Sequence, residues 1–394
     1  MPDVKRKLAY CLLLASFALF ASCATTVHVA EPGTVCDADG YSIADNFVGA
    51  RRGKCRVVGG DEVTLEILRE DDKVTNPSPW FAFKVKPERA TDAQITLDYG
   101  TWKHRYWPKI SYDGLNWARL EETAVQVADN GFTATISLAL DEKPVWIAAQ
   151  ELVTPTIYEV WSRKVADGSD ATMSELGKSL QGLPIFRLDT NAESHDVILL
   201  IGRQHPPEVS GSFAFFSFFE TLHADTDLAN RFRQRFRIIS IPLLNPDGVA
   251  GGNWRNNLGE VDLNRDWGPF TQPETRLVRD LLDELDENGS RLRVFLDFHS
   301  TDRNLFYTQP DSEVTTPPGF GEQWFSKARP RLVDYEFSNE ANPMKNPAVG
   351  KNYIYTRYGI PAFTYEVGDE TDRNAARAAA IIFAEEFMEL MLSL

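Results

Sequence analysis

The rhythm of apolar and polar positions changes once along this chain, near residue 150. Before that point short alternating runs recur at Glu62 to Leu68, Trp80 to Val85, Gln94 to Tyr99, Lys109 to Tyr112, Phe132 to Leu138 and Val145 to Ala149. Asp113-Gly114 and Asp129-Asn130-Gly131 fall between runs as turns. A period of two with such punctuation predicts strands buried on one face, and the spacing predicts an antiparallel β-sandwich over about 34–150. Trp80, Trp102, Trp107, Trp117 and Trp146 are expected to fill its core and cover strand edges. A platform for sugar or peptide is the other use of so many indoles.

From about 151 to 394 the apolar runs become compact: Ile198 to Ile201, Ile238 to Leu244, Val294 to Phe298 and Ala362 to Tyr365. Strands buried on both faces have this pattern. Helical stretches alternate with them, at Pro207 to Ala224, Glu274 to Leu285 and Asn374 to Leu392. Strand-helix alternation predicts an α/β domain with a parallel or mixed sheet flanked by helices. Ligands of such sheets gather outside the strand ends.

The first 23 residues stand apart. Lys5, Arg6 and Lys7 precede an apolar run, Leu8 to Phe20, that is short for a membrane span. This reads as a secretory signal. Phe20-Ala-Ser-Cys23 resembles a bacterial lipobox, with Cys23 as the lipidated residue, so an exported, lipid-anchored envelope protein is expected. Of four cysteines, only Cys36 and Cys55 remain for the folded part, and one disulfide is expected between them. Two unpaired thiols are the alternative. The formal net charge of -16 and the lack of a basic patch argue against a nucleic-acid partner.

Candidate chemistry lies where the compact runs end. His205 and Glu208 follow the first, spaced i, i+3, with Pro206-Pro207 stiffening the turn and starting a helix. Asn245-Pro-Asp-Gly248 follows the second, His299 ends the third and Glu366 the fourth. Two histidines and a carboxylate are a ligand set that leaves a coordination position open for water, and a further Glu can act as general base. Arg255, Asn264 and Arg265 supply donors suited to a carboxylate or a developing oxyanion. His28, His104, His195 and His223 are poorer candidates, the last being placed at the surface.

Taken together, His205-Pro-Pro-Glu208, Asn245-Pro-Asp-Gly248, Val261-Asp-Leu-Asn-Arg265 and the strand-borne Glu366 resemble the zinc carboxypeptidases of the M14 type. They are similar above all to the cytosolic-carboxypeptidase branch and its bacterial members. Trp80-Phe-Ala-Phe and Ser111-Tyr-Asp-Gly-Leu-Asn-Trp117 resemble that branch's N-terminal sandwich. The resemblance implies one zinc ion held by His205, Glu208 and His299, with Glu366 as general base. It implies that Arg255 polarises the scissile carbonyl and that Asn264 and Arg265 hold the substrate's terminal carboxylate. The expected substrate is a peptide with a free C-terminus. No Tyr is assigned the substrate-capping role of the digestive enzymes. The specificity segment is placed near Gly350 to Tyr353, with Lys351 read as a solvated lysine that could otherwise attract an acidic side chain. Two other readings stay open: an amidase or deacylase acting on cell-wall peptide or N-acyl amino acids, and a catalytically silent binding lipoprotein.

Overall fold

The computed structural model describes residues 27–394 apart from 61, 72–76, 191–192 and 343–344. The signal-like segment with Cys23 therefore lies outside the described residues. Strands β1 (Val27–Ala30), β2 (Cys36–Ala38), β3 (Tyr41–Ala44), β4 (Cys55–Val58), β5 (Glu62–Glu66) and β6 (Ala82–Pro87) come first. They are followed by β7 (Thr91–Asp98), β8 (Lys109–Ser111), β9 (Ala118–Arg119), β10 (Val125–Val127), β11 (Thr133–Leu140) and β12 (Val145–Ala148). These make two six-stranded sheets, ordered β1-β4-β5-β7-β11-β10 and β2-β3-β6-β12-β8-β9.

Alternation of burial along β7 and β11 puts Ile95, Leu97, Ala134 and Ile136 on the inner face, against Phe83, Val85 and Ile147 of the other sheet. One pair departs from the antiparallel expectation: β5 runs parallel to β7. Between them the chain crosses to the opposite sheet as β6 and returns, the long connection that a parallel pair requires. Cys36 and Cys55 are disulfide-bonded and wholly buried. Trp80 lies in the core, and Trp102, Trp107 and Trp117 pack partly buried against it. Trp146 instead turns outward beneath the Lys84 ammonium, 4.1 Å from its ring centre.

The rest of the chain builds on an eight-stranded mixed sheet. Its members are β13 (Ala171–Lys178), β14 (Pro184–Thr190), β15 (Asp196–Gly202), β16 (Arg237–Ile241), β17 (Arg291–Thr301), β18 (Leu305–Thr308), β19 (Ser338–Ala341) and β20 (Ala362–Gly368). The order is β13-β14-β16-β15-β17-β20-β18-β19, and the central four are parallel. One face is covered by α2 (Val209–Leu222) and α8 (Arg373–Ser393), whose Phe215, Phe218, Phe383 and Phe387 join Phe298 and Tyr365 from the sheet. The other face packs α5 (Pro273–Glu287) through Val278, Leu281, Leu282 and Leu285, a spacing that makes one helical stripe. Pro206 and Pro207 are in the turn before α2 rather than inside it, because Glu208 takes the N-cap position.

The sandwich grips the sheet at two places. Arg105 and Lys109 pair with Asp369 and Glu370, in the turn just after β20. The Glu70 carboxylate accepts the backbone N–H groups of Trp254, Arg255 and Asn256 at 2.5, 2.8 and 3.0 Å.

Candidate metal centre and substrate cleft

Beyond Gly202 the chain must turn sharply to bring His205 and Glu208 together. Arg203 adopts a left-handed conformation, φ 55°, that L side chains disfavour. Its buried guanidinium holds the turn: Nε donates to Pro206 O at 2.8 Å, and Nη1 to Ser212 Oγ at 2.9 Å. The Asn245 cluster braces the turn from the next strand end. Asn245 Nδ2 donates to Gln204 O, while its Oδ1 accepts from Gly248 N and caps α4 (Pro246–Ala250). A Cβ at Gly248 would lie 2.6 Å from Pro206 and 2.7 Å from Asn256 O, so only glycine fits. Asp247 accepts from Ser179 Oγ and Gln181 N. Asn-Pro-Asp-Gly is thus structural, and none of its side chains lines the cleft.

His299 is brought in by register. It pairs with Glu366 across the parallel β17–β20 ladder, so the two side chains share one face as neighbours about 5 Å apart. Both lie within their strands rather than beyond them. The His205, Glu208 and His299 donor atoms all lie within 4.8 Å of one another. Glu208 sits between the rings, with Oε1 2.7 Å from His205 Nδ1 and Oε2 2.7 Å from His299 Nδ1. The outer nitrogens are engaged by carboxylates: His205 Nε2 is 3.0 Å from Asp262 Oδ1, and His299 Nε2 is 2.8 Å from Asp297 Oδ2. Outer carboxylates of this kind fix ring orientation in metal-binding histidines and leave the inner nitrogen as ligand. The donor set fits one zinc ion.

Electrostatics follow from this packing. Burial opposes protonation of His299, but Asp297 and Glu208 override it and hold the ring well above the usual imidazole range. His205 is raised in the same way by Glu208 and Asp262, against its burial and Arg255. Burial would raise Glu208 and Asp262, yet the imidazoles, joined at Asp262 by Arg255, keep both far below ordinary carboxylates. Glu366 goes the other way. Burial pushes it up to about 7, Glu208 adds to this, and the histidines oppose it. Its Oε2 is buried with no hydrogen-bond partner among the described residues.

A cleft of about 300 Å³ opens here, lined by His205, Glu208, Glu366, Arg255, Asn264 and Arg265 among others. The expected metal ligands, general base and substrate-binding residues therefore meet at one place, while Asn245-Pro-Asp-Gly248 stands behind it. Arg255 Nε is tied to Asp262 Oδ2 at 2.6 Å, and neither Nη makes a hydrogen bond among the described residues. Asn264 Oδ1 accepts from Gly350 N, and its Nδ2, a donor, lies 3.5 Å from His299 Nε2. Arg265 is exposed, and its guanidinium bonds only the Asn264 carbonyl among the described residues.

Two expectations need correction. Lys351 is not solvated: it is buried at the cleft, its Nζ donates to Thr308 O and Asn342 O, and burial pulls it down to about 8 against the influence of Glu313. His223 is not on the surface: it stacks on Phe219 with centroids 4.1 Å apart and is buried. Sequence reasoning also passed over Asp262 and Asp297 as supports, and Arg105, Tyr106 and Tyr307 as cleft residues. Asp297 was findable, since residues two apart on a strand share a face and it precedes His299 by two. Arg105 and Tyr106 carry no local signal, because they reach the cleft from the sandwich.

One inward-facing triad of two imidazoles and a carboxylate, with a half-buried second glutamate beside it on a mixed sheet, defines a single-metal hydrolase. The zinc carboxypeptidase (M14 peptidase) family model matches residues 157–387, and the chain belongs to that family, a zinc-dependent metallocarboxypeptidase. An uncharacterised protein of Zymomonas mobilis is 25% identical over 329 residues, covering 78% of this chain and 83% of its own. Cytosolic carboxypeptidase 6 of Caenorhabditis elegans is 34% identical over 190 residues, which are 45% of this chain. The match spans only 41% of that relative's length. Among solved structures, a metallo-carboxypeptidase from Burkholderia cenocepacia superimposes with TM-score 0.71 at 20% identity, over 89% of this chain and 98% of its own. One from Pseudomonas aeruginosa gives 0.70 at 22%, over 89% and 98%. These two show that the fold, sandwich included, is shared.

Proposed function

We propose that the chain removes single residues from the C-termini of peptides, with His205, Glu208 and His299 as the zinc ligands. Bound zinc would supply a Lewis acid and a water of lowered pKa. Glu366 takes the proton from the attacking water and delivers it to the departing amine. Its place opposite His299, with a buried unpartnered oxygen, is the observation that carries this reading. Arg255, fixed through Nε, has its Nη atoms for the carbonyl oxygen on which charge develops. Asn264 Nδ2 and the exposed Arg265 guanidinium bind the terminal carboxylate, whose charge Lys345 and Lys351 in the same cleft also favour.

The expected setting is outside the cytoplasm, anchored through a lipid on Cys23. The support for that is the N-terminal sequence alone. No helix among the described residues is long and apolar enough to cross a membrane.

The test is mass spectrometry of products. Zinc-loaded protein begun after Cys23 is given peptides of varied C-termini together with a cell-wall peptide. Loss of single C-terminal residues is expected, and Glu366→Gln should slow it by about 10²–10⁴-fold with zinc content unchanged. Cleavage confined to the cell-wall peptide would replace this reading with the amidase one.

A further inference from the structure

The mechanism above leaves one wall of the cleft without a task. Arg105 and Tyr106 belong to the sandwich, yet both line the cleft with His205, Glu208 and Glu366. Arg105 commits Nε and Nη2 to Asp369 Oδ2, at 3.0 and 2.7 Å. Its guanidinium carbon also lies 4.9 Å from the Trp254 ring centre and 5.3 Å from that of Tyr106. Nη1 makes no hydrogen bond among the described residues, and 34% of the side chain is exposed. A guanidinium pinned at one edge and packed on two rings presents the remaining donors in a fixed direction, so little entropy is lost when a ligand takes them.

Tyr106 adds a second observation. The residue is wholly buried, and its hydroxyl has no partner among the described residues. Asp369 Oδ1 is likewise buried and unpartnered. Leaving such a group unpaired is costly, and native proteins carry few of them. The hydroxyl and Asp369 Oδ1 both lie beside Arg105 and neither atom is accessible from the cleft, so Arg105 Nη1 is the donor this wall presents.

The direction of the substrate follows from chain neighbours, and here the argument rests on the proposed function. With the terminal carboxylate at Asn264 and Arg265, beside Gly350, and the scissile carbonyl at Arg255, the next residue along the wall is Trp254, on which Arg105 lies. We propose that Arg105 is a specificity-determining residue lent by the sandwich. It donates to an acceptor oxygen of the substrate on the amino side of the scissile bond. That oxygen is either a backbone carbonyl or an acidic side chain, and the two share the same chemistry.

The experiment compares kcat/KM for three substrates with one common C-terminal residue: an N-blocked dipeptide, a neutral tetrapeptide, and a tetrapeptide acidic at its second residue. The wild type should favour a tetrapeptide by about tenfold or more, as one charge-assisted hydrogen bond allows. Arg105→Lys and Arg105→Ala should shrink that ratio toward one, mainly through KM. A gain on both tetrapeptides assigns the carbonyl, and a gain on the acidic one alone assigns the side chain. Because the ratio is internal to each protein, general loss of folding or zinc does not imitate the effect. A wild type without length preference, or variants that keep it, would overturn the inference. If the wild type releases no C-terminal residue, the function fails separately. The same peptides are then compared by equilibrium binding to wild type and Arg105→Ala, and equal affinities would again overturn the inference.

Discussion

Asp262 joins three parts of the site, and replacing it with Asn should therefore damage all three. Its Oδ1 accepts from His205 Nε2 at 3.0 Å and from Asn264 N at 2.9 Å, while Oδ2 accepts from Arg255 Nε at 2.6 Å. Every partner is a donor, so the site requires two acceptor oxygens. An Asn offers one. If its NH₂ faces Arg255, two donors oppose each other and the guanidinium is released. If it faces His205, the ring is driven toward the tautomer that carries its proton on Nδ1, the nitrogen needed by the metal. Loss of an outer carboxylate of this kind weakens metal binding by about 10–100-fold, which is about 1.4–2.8 kcal/mol. The charge-assisted bond to Arg255 is of similar worth, about 1.5–3 kcal/mol, and its loss should appear as a further fall in kcat at saturating zinc. Chelator competition gives the zinc affinity, and steady-state kinetics with excess zinc give the second effect. A folded Asp262→Asn protein with zinc affinity and kcat both within threefold of wild type would refute the reasoning.

Three further outcomes are expected. Gly211 of α2 faces the backbone of His299, and a Cβ there would lie 2.4 Å from its carbonyl oxygen; Gly211→Ala should cost about 1–3 kcal/mol in urea unfolding and lower zinc occupancy by moving β17. His223 is pulled down to about 4 by burial, against its bond to the Phe219 carbonyl and the influence of Asp170. The unfolded ring takes its proton near 6.5 and the folded ring only near 4, so this contribution is complete above pH 6.5 and lost as pH falls toward 4. It amounts to about 3 kcal/mol, and His223→Leu should flatten the stability profile across that window. Separating Cys36 from Cys55 by a paired Cys→Ala change should destabilise by about 3 kcal/mol in the chain-entropy model, read from a lowered denaturation midpoint with zinc affinity retained.

How much of this was legible in sequence depended on whether a residue's role was local. The compact runs became β15, β16, β17 and β20 because buried parallel strands need continuous apolar side chains, and chance rarely produces four of them. Short or edge strands such as β9, β13 and β19 went unseen, since half-exposed segments like Ser338-Asn-Glu-Ala341 carry no apolar signature. His205, Glu208, His299 and Glu366 could be named because each sits at or near a strand's carboxyl end. His223 and Lys351 were misplaced for one reason: their burial is decided by distant partners, the Phe219 ring in one case and the Thr308 and Asn342 carbonyls in the other. The β5–β7 parallel pair was equally hidden, because strand direction depends on which sheet the intervening chain visits.

Glu70 has a consequence for how the protein comes into being. Its carboxylate caps three successive N–H groups around Arg255, although 185 residues of chain separate it from that arginine. On the ribosome the cap is therefore made long before the loop it will hold. The arginine loop has these three caps only once the two halves of the chain have met. The sandwich thus has a hold over the enzyme's birth as well as its architecture, and trimming the chain to the segment that carries the metal ligands would leave those three amides facing water.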